Sequence, residues 1–326
     1  MPSTMTHSYF AIDIYNNLNS KYKNKISNLD QLKLFSQGSD PFMFYNYLIG
    51  KKAKYYKNIQ YIIHTTKTQD FFINLINYIN NNNLNNNKEV LTYLYGNICH
   101  YFLDLYTHPF IIYKTGIFDK KNKTTYKYNA KHQEMEYYID IYFIEQKEKI
   151  NAKDFKIYNH IFKYSNFSKE LTNTINDVIK ETYNIENISK AYIKSIKQMK
   201  NFFRIINYDK LGIKKNIYSI IDNITPNSII KLKELSYHNQ YNNTNYLNLK
   251  KNTWNHPSNK NETYTYSFLD LYELALKEAT NAIIKTTDIL NTKNINNKEL
   301  KDIFKNLSYV TGKNCNKKLI PKYFEY

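Results

Sequence analysis

The sequence predicts an all-α protein, a multi-helix bundle, and three observations predict it. Apolar residues recur at helical spacing through most of the chain, and no strand-like alternation competes with them. Glycine and proline number only 6 each in 326 residues, too few for the tight turns of an all-β or doubly wound design. Hydrophobic residues make up 42% of the chain, enough for a sizeable core and too many for a disordered one.

The elements follow in order. Thr6 or Ser8 starts a helix through Leu18, with Phe10, Ile14 and Leu18 on one face. Asn28 or Asp30 caps a second, Leu29–Gln37, which Gly38 terminates. Pro41 suits the first turn of a third, Pro41–Ile49. Lys51, Lys52, Lys54 and Lys57 then surround Tyr55 and Tyr56 in a basic, aromatic connection. Phe71, Phe72, Leu75, Ile76 and Ile79 mark the next helix, and the Asn-rich run 80–87 reads as a solvated loop that reflects AT-rich coding bias.

Lys88–Thr107 is a helix that His108-Pro109 ends, because the residue before proline avoids α geometry. Residues 113–130 form a polar loop, and Lys131–Gln146 a long helix. Helices over Ser168–Tyr183, Ile188–Asn207 and Pro226–Leu235 follow, the last capped by Thr225. Tyr241–Asn261 is a polar loop that holds the single tryptophan, Trp254. Ser267 caps Phe268–Leu290, whose buried stripe runs Phe268, Leu271, Tyr272, Ala275, Ala279, Ala282, Ile283. The whole chain, 1–326, reads as one domain: 1–150 carries the candidate metal-ligand helices, and 151–326 is a basic helical extension packed on them.

The chemistry concentrates in Lys88–Thr107 and its end. His100, Asp104 and His108 stand at successive i, i+4 positions. Each such step rises about 6 Å, so His100 and Asp104 can serve one metal, whereas His108 lies about 12 Å from His100 and needs another. His132 and Glu136 repeat the H-x-x-x-[D/E] pairing. Imidazole and carboxylate together suit zinc, at about 2.0–2.2 Å in tetrahedral sites. His64 and Asp40 complete a site with His100 and Asp104, and His108 forms a second with His132 and Glu136. His7 with Asp104 begins a third, Asp104 bridging. Three or four protein ligands per site leave room for water or substrate, the layout of catalytic zinc. Asp140 flanks the His132 helix and is placed to orient a ligand.

The formal net charge is +18. Residues 1–150 carry 18 Lys/Arg against 12 Asp/Glu, and residues 151–326 carry 28 against 16, so the larger basic share lies outside the metal region. A basic surface favours polyanions, whether anionic lipid headgroups or nucleic acid. Two cysteines, Cys99 and Cys315, give no disulfide framework. The start lacks a basic n-region, and no run of 18 apolar residues exists, so a cytoplasmic protein with no membrane span is expected.

The set His7, Ser39-Asp40-Pro41, His64 followed by Phe71-Phe72, His100-x-x-x-Asp104-x-x-x-His108-Pro109 and His132-x-x-x-Glu136 resembles the bacterial zinc-dependent phospholipase C family. That family shares its all-α fold and zinc centre with zinc-dependent single-strand nucleases. The opening Met1-Pro2-Ser3-Thr4-Met5-Thr6-His7 and the late Trp254…Pro257…Ser267-Phe268-Leu269-Asp270-Leu271-Tyr272 resemble its cytoplasmic-type branch.

The resemblance implies a phosphodiesterase that cleaves phospholipid headgroups with a metal-bound hydroxide. His64, His100 and Asp104 would hold a first zinc, with Asp40 as further ligand or as base to the attacking water. His108, His132 and Glu136 would hold a second, and His7 with Asp104 a third. Secreted relatives hold that third zinc partly through a processed N-terminal tryptophan, which has no counterpart before His7 here, so two or three zincs are expected. Two further readings stand beside this one: the same chemistry on single-stranded nucleic acid, and a non-catalytic lipid- or RNA-binding protein that keeps the zinc fold. Few arginines and no evident stacking platform weigh against the nuclease.

Overall fold

The computed structural model describes residues 4–46, 50–225, 231–238, 245–292 and 295–325. The fold is all-α: among the described residues the helices are joined by short 3-10 turns, and one two-stranded sheet accompanies them. None of these helices is long and apolar enough to cross a membrane.

The core is built around one 28-residue helix, Lys88–Thr115, labelled α6 because five helices precede it: α1 Thr4–Asn17, α2 Ser20–Lys23, α3 Leu29–Phe35, α4 Lys51–Thr65 and α5 Thr68–Asn81. It is buried on all sides, from Val90, Leu94 and Ile98 through Phe110 and Ile111, as expected of a core helix rather than a surface one. Asn87 caps its start, its side chain accepting from the Val90 amide. Helices α1, α3 and α5 pack against it, with α7 (Lys131–Glu148) and α12 (Phe268–Asn291). Between the last two lie α8 Ile157–His160, α9 Lys169–Tyr183, α10 Ile188–Phe202 and α11 Ile213–Ile224; α13 Asn297–Ile303 follows α12.

Several boundaries differ from the sequence expectation. Pro109 does not end α6, which continues to Thr115 with the proline inside it. Proline leaves the Leu105 carbonyl without its helical partner, at a cost of about 3 kcal/mol. Burial of Phe110, Ile111 and Ile112 beyond it offsets that cost. The Lys51–Lys57 stretch is not a connection but the first turns of α4, with Ile59 and Ile63 facing the core. The third expected helix is a 3-10 turn, Asp40–Phe44, and residues 47–49 lie outside the described residues.

Residues 113–130 contain the end of α6 and a 3-10 turn, Lys123–Tyr128. The helix expected to Asn207 is α to Phe202 and closes in a π turn, Phe203–Asn207. Of Pro226–Leu235, residues 226–230 lie outside the described residues and Leu232–Leu235 is a 3-10 turn. The expected loop around Trp254 holds an antiparallel hairpin, β1 Trp254–His256 with β2 Asn259–Tyr264. Trp254 is buried against Phe110 and donates its indole N–H to the Tyr266 carbonyl at 3.0 Å. Ser267 caps α12 as expected, in a capping box with Asp270.

Candidate metal centre

Five elements deliver the candidate ligands to one place. His7 comes from α1, Asp40 from the turn after α3, His64 from the end of α4, His100, Asp104 and His108 from α6, and His132 and Glu136 from the first turns of α7. The structure brings all eight into three adjacent groups able to hold a metal ion: Asp40–His64–His100, His7–His100–Asp104 and His108–His132–Glu136.

Distances test the fit. Four donors held about 2.1 Å from a tetrahedral zinc stand about 3.4 Å from one another. Around His100 Nε2 lie His64 Nε2 at 3.1 Å, Asp104 Oδ2 at 3.4 Å and Asp40 Oδ1 at 3.7 Å, and His64 Nε2 stands 3.5 Å from Asp40 Oδ1. On the other side of the same carboxylate, His7 Nε2 is 3.3 Å from Asp104 Oδ1. In the third group Glu136 Oε1 stands 2.9 Å from His132 Nε2 and 3.9 Å from His108 Nε2. Both Asp104 oxygens, both His7 nitrogens and His108 Nε2 are buried and make no hydrogen bond among the described residues. Buried polar atoms normally find a partner; a cation supplies one. The residues present therefore fit a cluster of zinc-sized ions.

The surroundings turn the rings the right way. His100 Nδ1–H donates to the Ser36 carbonyl, and His108 Nδ1–H to the Tyr309 carbonyl, each at 3.0 Å. Thr115 Oγ1 spends its proton on the Ile111 carbonyl and is left to accept from His132 Nδ1 at 3.3 Å. In all three rings Nε2 is left as the lone-pair nitrogen, the tautomer a metal ligand needs. The Gln60 amide sits between His64 Nδ1 (3.0 Å) and Asp40 Oδ1 (3.2 Å). Gly38 makes room for His100: at φ +52°, a Cβ there would stand 2.5 Å from His100 Cδ2.

Two further residues support the cluster, the first without a mark in the sequence and the second in another way than the sequence suggests. Tyr309, from the C-terminal segment, stacks on His64 at 4.7 Å, takes the His108 proton through its carbonyl and donates its own amide to the His64 carbonyl. Asp140, one α-helical turn beyond Glu136, does not touch a ligand of its own helix. Its carboxylate accepts from the Met5 and Thr6 amides and the Thr6 hydroxyl at the start of α1, immediately before His7. Of the remaining histidines, His238 and His256 bond to backbone carbonyls and His160 lies among aromatic rings, all outside the cluster.

Electrostatics favour a metal as well. Burial, reinforced by Asp104 nearby, pushes the Asp40 carboxyl well above the usual range. Burial holds His64 and His108 below the ordinary imidazole value and takes His100 to about 3. For Asp104 burial pushes up, but His100 and His7 outweigh it and keep the group ionised. Neutral imidazoles around a charged carboxylate are the form that accepts a divalent cation.

One pH dependence follows for the chelated protein. These histidines have folded-state values below the unfolded value of about 6.5, so the unfolded chain binds more protons below that pH. Stability is full above about pH 6.5 and falls as pH drops toward 3, at about 1.4 kcal/mol per pH unit for each titrating site. Denaturant melts at pH 7, 5.5 and 4.5 check this; a flat profile over that range contradicts it.

A cleft of about 700 Å³ opens onto the cluster. Asp40, His132 and Glu136 reach it; Met43, Phe44, Phe118, Phe202 and Phe203 supply apolar wall, and Lys54 and Lys57 supply positive charge. Nothing in the sequence marks that aromatic wall, because its four rings come from three separate segments.

A family model described as zinc dependent phospholipase C matches residues 6–188, a stretch that contains all eight candidate ligands. No curated protein and no solved structure matches the chain.

Proposed function

Because the chain belongs to the zinc-dependent phospholipase C family, we propose that it is a zinc-dependent phosphodiesterase that cleaves the headgroup from phospholipids. The observation that carries this reading is the meeting of Asp40, His64 and His100 at zinc-ligand spacing, with Asp104 3.4 Å from His100, beside an apolar-walled cleft.

In this reading His64, His100, Asp104 and Asp40 hold one zinc, His108, His132 and Glu136 a second, and His7 with the other oxygen of Asp104 a third. Zinc, when bound, supplies Lewis acidity at the phosphoryl oxygens and brings the pKa of water to about 7. The chain's own groups do the rest. Asp40 reaches the cleft and serves either as a further ligand or as the base that takes a proton from water. Lys54 and Lys57 lie where they meet the negative charge of the phosphodiester, and Met43, Phe44, Phe202 and Phe203 receive the glycerol and acyl portion.

We place the protein in a reducing compartment, the cytoplasm, since both cysteines are buried free thiols. We also treat 1–326 as one unit, because Leu300, Phe304 and Tyr309 join the same core as Met5 and Phe10. A nuclease reading keeps one support: the Phe44, Phe118 and Phe202 rings in the cleft offer flat faces on which unpaired bases stack.

Assays on phosphatidylcholine, phosphatidylinositol and single-stranded DNA separate the two. Release of phosphorylated headgroup that stops with chelator and returns with zinc is the expected result. Cleavage of DNA alone overturns the lipid assignment, and inertness on all three with zinc bound leaves only a binding role.

A further inference from the structure

Helix α11, Ile213–Ile224, is built with its polarity reversed. Its polar side faces the protein: Asp222 accepts from the Leu232 and Lys233 amides at 2.9 Å, and the Lys214 ammonium donates to the Ile205 and Tyr208 carbonyls at 2.6 Å. Asp209 fastens the start of the helix, accepting from the Lys214 and Lys215 amides. The outward side is isoleucine: Ile213, Ile217, Ile220 and Ile224 are 57%, 51%, 62% and 76% exposed, and Leu211, just before the helix, is 76% exposed. Spaced i, i+4, i+7 and i+11, the four form a continuous stripe. An apolar ridge of this kind left in water marks a contact surface.

Charge selects the occupant. Between Arg204 and Ile224 the two acids, Asp209 and Asp222, are buried and turned onto backbone amides, whereas Arg204 and Lys210 are exposed, Lys210 standing 3.4 Å from Asp154. The stretch that carries the ridge therefore exposes apolar and cationic groups and no acid of its own, complementary to an anionic lipid headgroup layer over an apolar interior. A second copy would set cation against cation, in a chain of net charge +18.

Position agrees. The 3-10 turn Leu232–Leu235 that α11 packs on, and the π turn Phe203–Asn207 to which Lys214 and Tyr218 bond, both line the cleft that opens on the metal cluster. Helix α11 is thus braced on two of the elements that wall the cleft. It also lies beyond residue 188, where the family match ends, so family membership does not account for it.

We propose that α11 with Leu211 is a docking element that inserts its isoleucine face into anionic membranes, lying in the interface plane and holding the cleft mouth at the lipid surface. Its purpose depends on the phospholipase reading, but its evidence does not.

Co-sedimentation with vesicles tests it, using phosphatidylcholine alone and phosphatidylcholine with phosphatidylglycerol, before and after chelation. The protein is expected to partition onto the anionic vesicles with or without metal. The triple variant I217Q/I220Q/I224Q is expected to partition at least about tenfold less, while keeping its zinc content and its turnover of a water-soluble short-chain phosphodiester. Equal partitioning of variant and parent, or no vesicle binding by the parent, overturns the proposal. So does a dimer by light scattering that these substitutions dissociate, which would assign the face to a second copy. Vesicle binding that survives in a protein without hydrolase activity would sink the phospholipase reading and leave this one standing.

Discussion

Asp104→Asn is expected to lower hydrolysis by about a thousandfold or more, roughly 4 kcal/mol of lost barrier reduction. It is also expected to remove at least one zinc per chain. The carboxylate is fully buried on α6, with Oδ1 3.3 Å from His7 Nε2 and Oδ2 3.4 Å from His100 Nε2. One group therefore faces two of the three ligand sets, and the amide that replaces it has lost both the charge and one of the two donor oxygens. A second readout separates metal binding from ordinary packing. Zinc binding stabilises the folded parent by mass action, so added zinc should raise the melting temperature of the parent far more than that of the variant. An equal rise in both, or activity within about tenfold of the parent, would contradict the assignment.

Asp140→Ala is expected to cost about 4 kcal/mol or more, although the residue touches no candidate ligand. Its two oxygens collect the Met5 amide at 3.0 Å, the Thr6 amide at 2.8 Å, and the Thr6 and Tyr237 hydroxyls at 2.7 Å each. Truncation strands several of these donors in the interior, at about 1–3 kcal/mol for each left unsatisfied. The amides belong to the buried first turn of α1, where helical N–H groups lack intrahelical partners and a negative charge is favoured through the helix dipole. Loosening that turn moves His7, the residue after Thr6. The variant should therefore lose zinc from the His7–Asp104 side and retain the ion held by His108, His132 and Glu136. Metal analysis beside a urea titration checks both parts; parental stability with a full zinc complement contradicts them.

These two residues also show what could be read from the chain alone. The eight candidate ligands were legible because helices put them there: i, i+4 spacing fixes a shared face, and six of the eight lie on α4, α6 and α7. The helical character of the core was legible for the same reason, since one buried face leaves a periodic trace. Asp140 was visible only as a carboxylate near a ligand helix, whereas its partners are backbone amides more than 130 residues away. Backbone groups have no sequence signature, and the Tyr309 carbonyl that orients His108 escaped for the same reason. Pro109 and the Lys51–Lys57 stretch were misjudged by local rules. In both places burial further along the same helix, by Phe110 and Ile111 or by Ile59 and Ile63, outweighs the local preference. The stripe of α11 is present in the sequence, but a stripe does not say which way it faces; that depends on the carbonyls and amides waiting for its polar side.

The central claim is that Asp40, His7, His64, His100, Asp104, His108, His132 and Glu136 form a zinc cluster, and the most direct test is to count the metal. Purified without chelator and analysed by mass spectrometry of the native chain, the protein should carry two or three zinc ions, and His100→Ala should carry at least one fewer. A chain that holds no zinc, even after incubation with the metal, would contradict the account at its base.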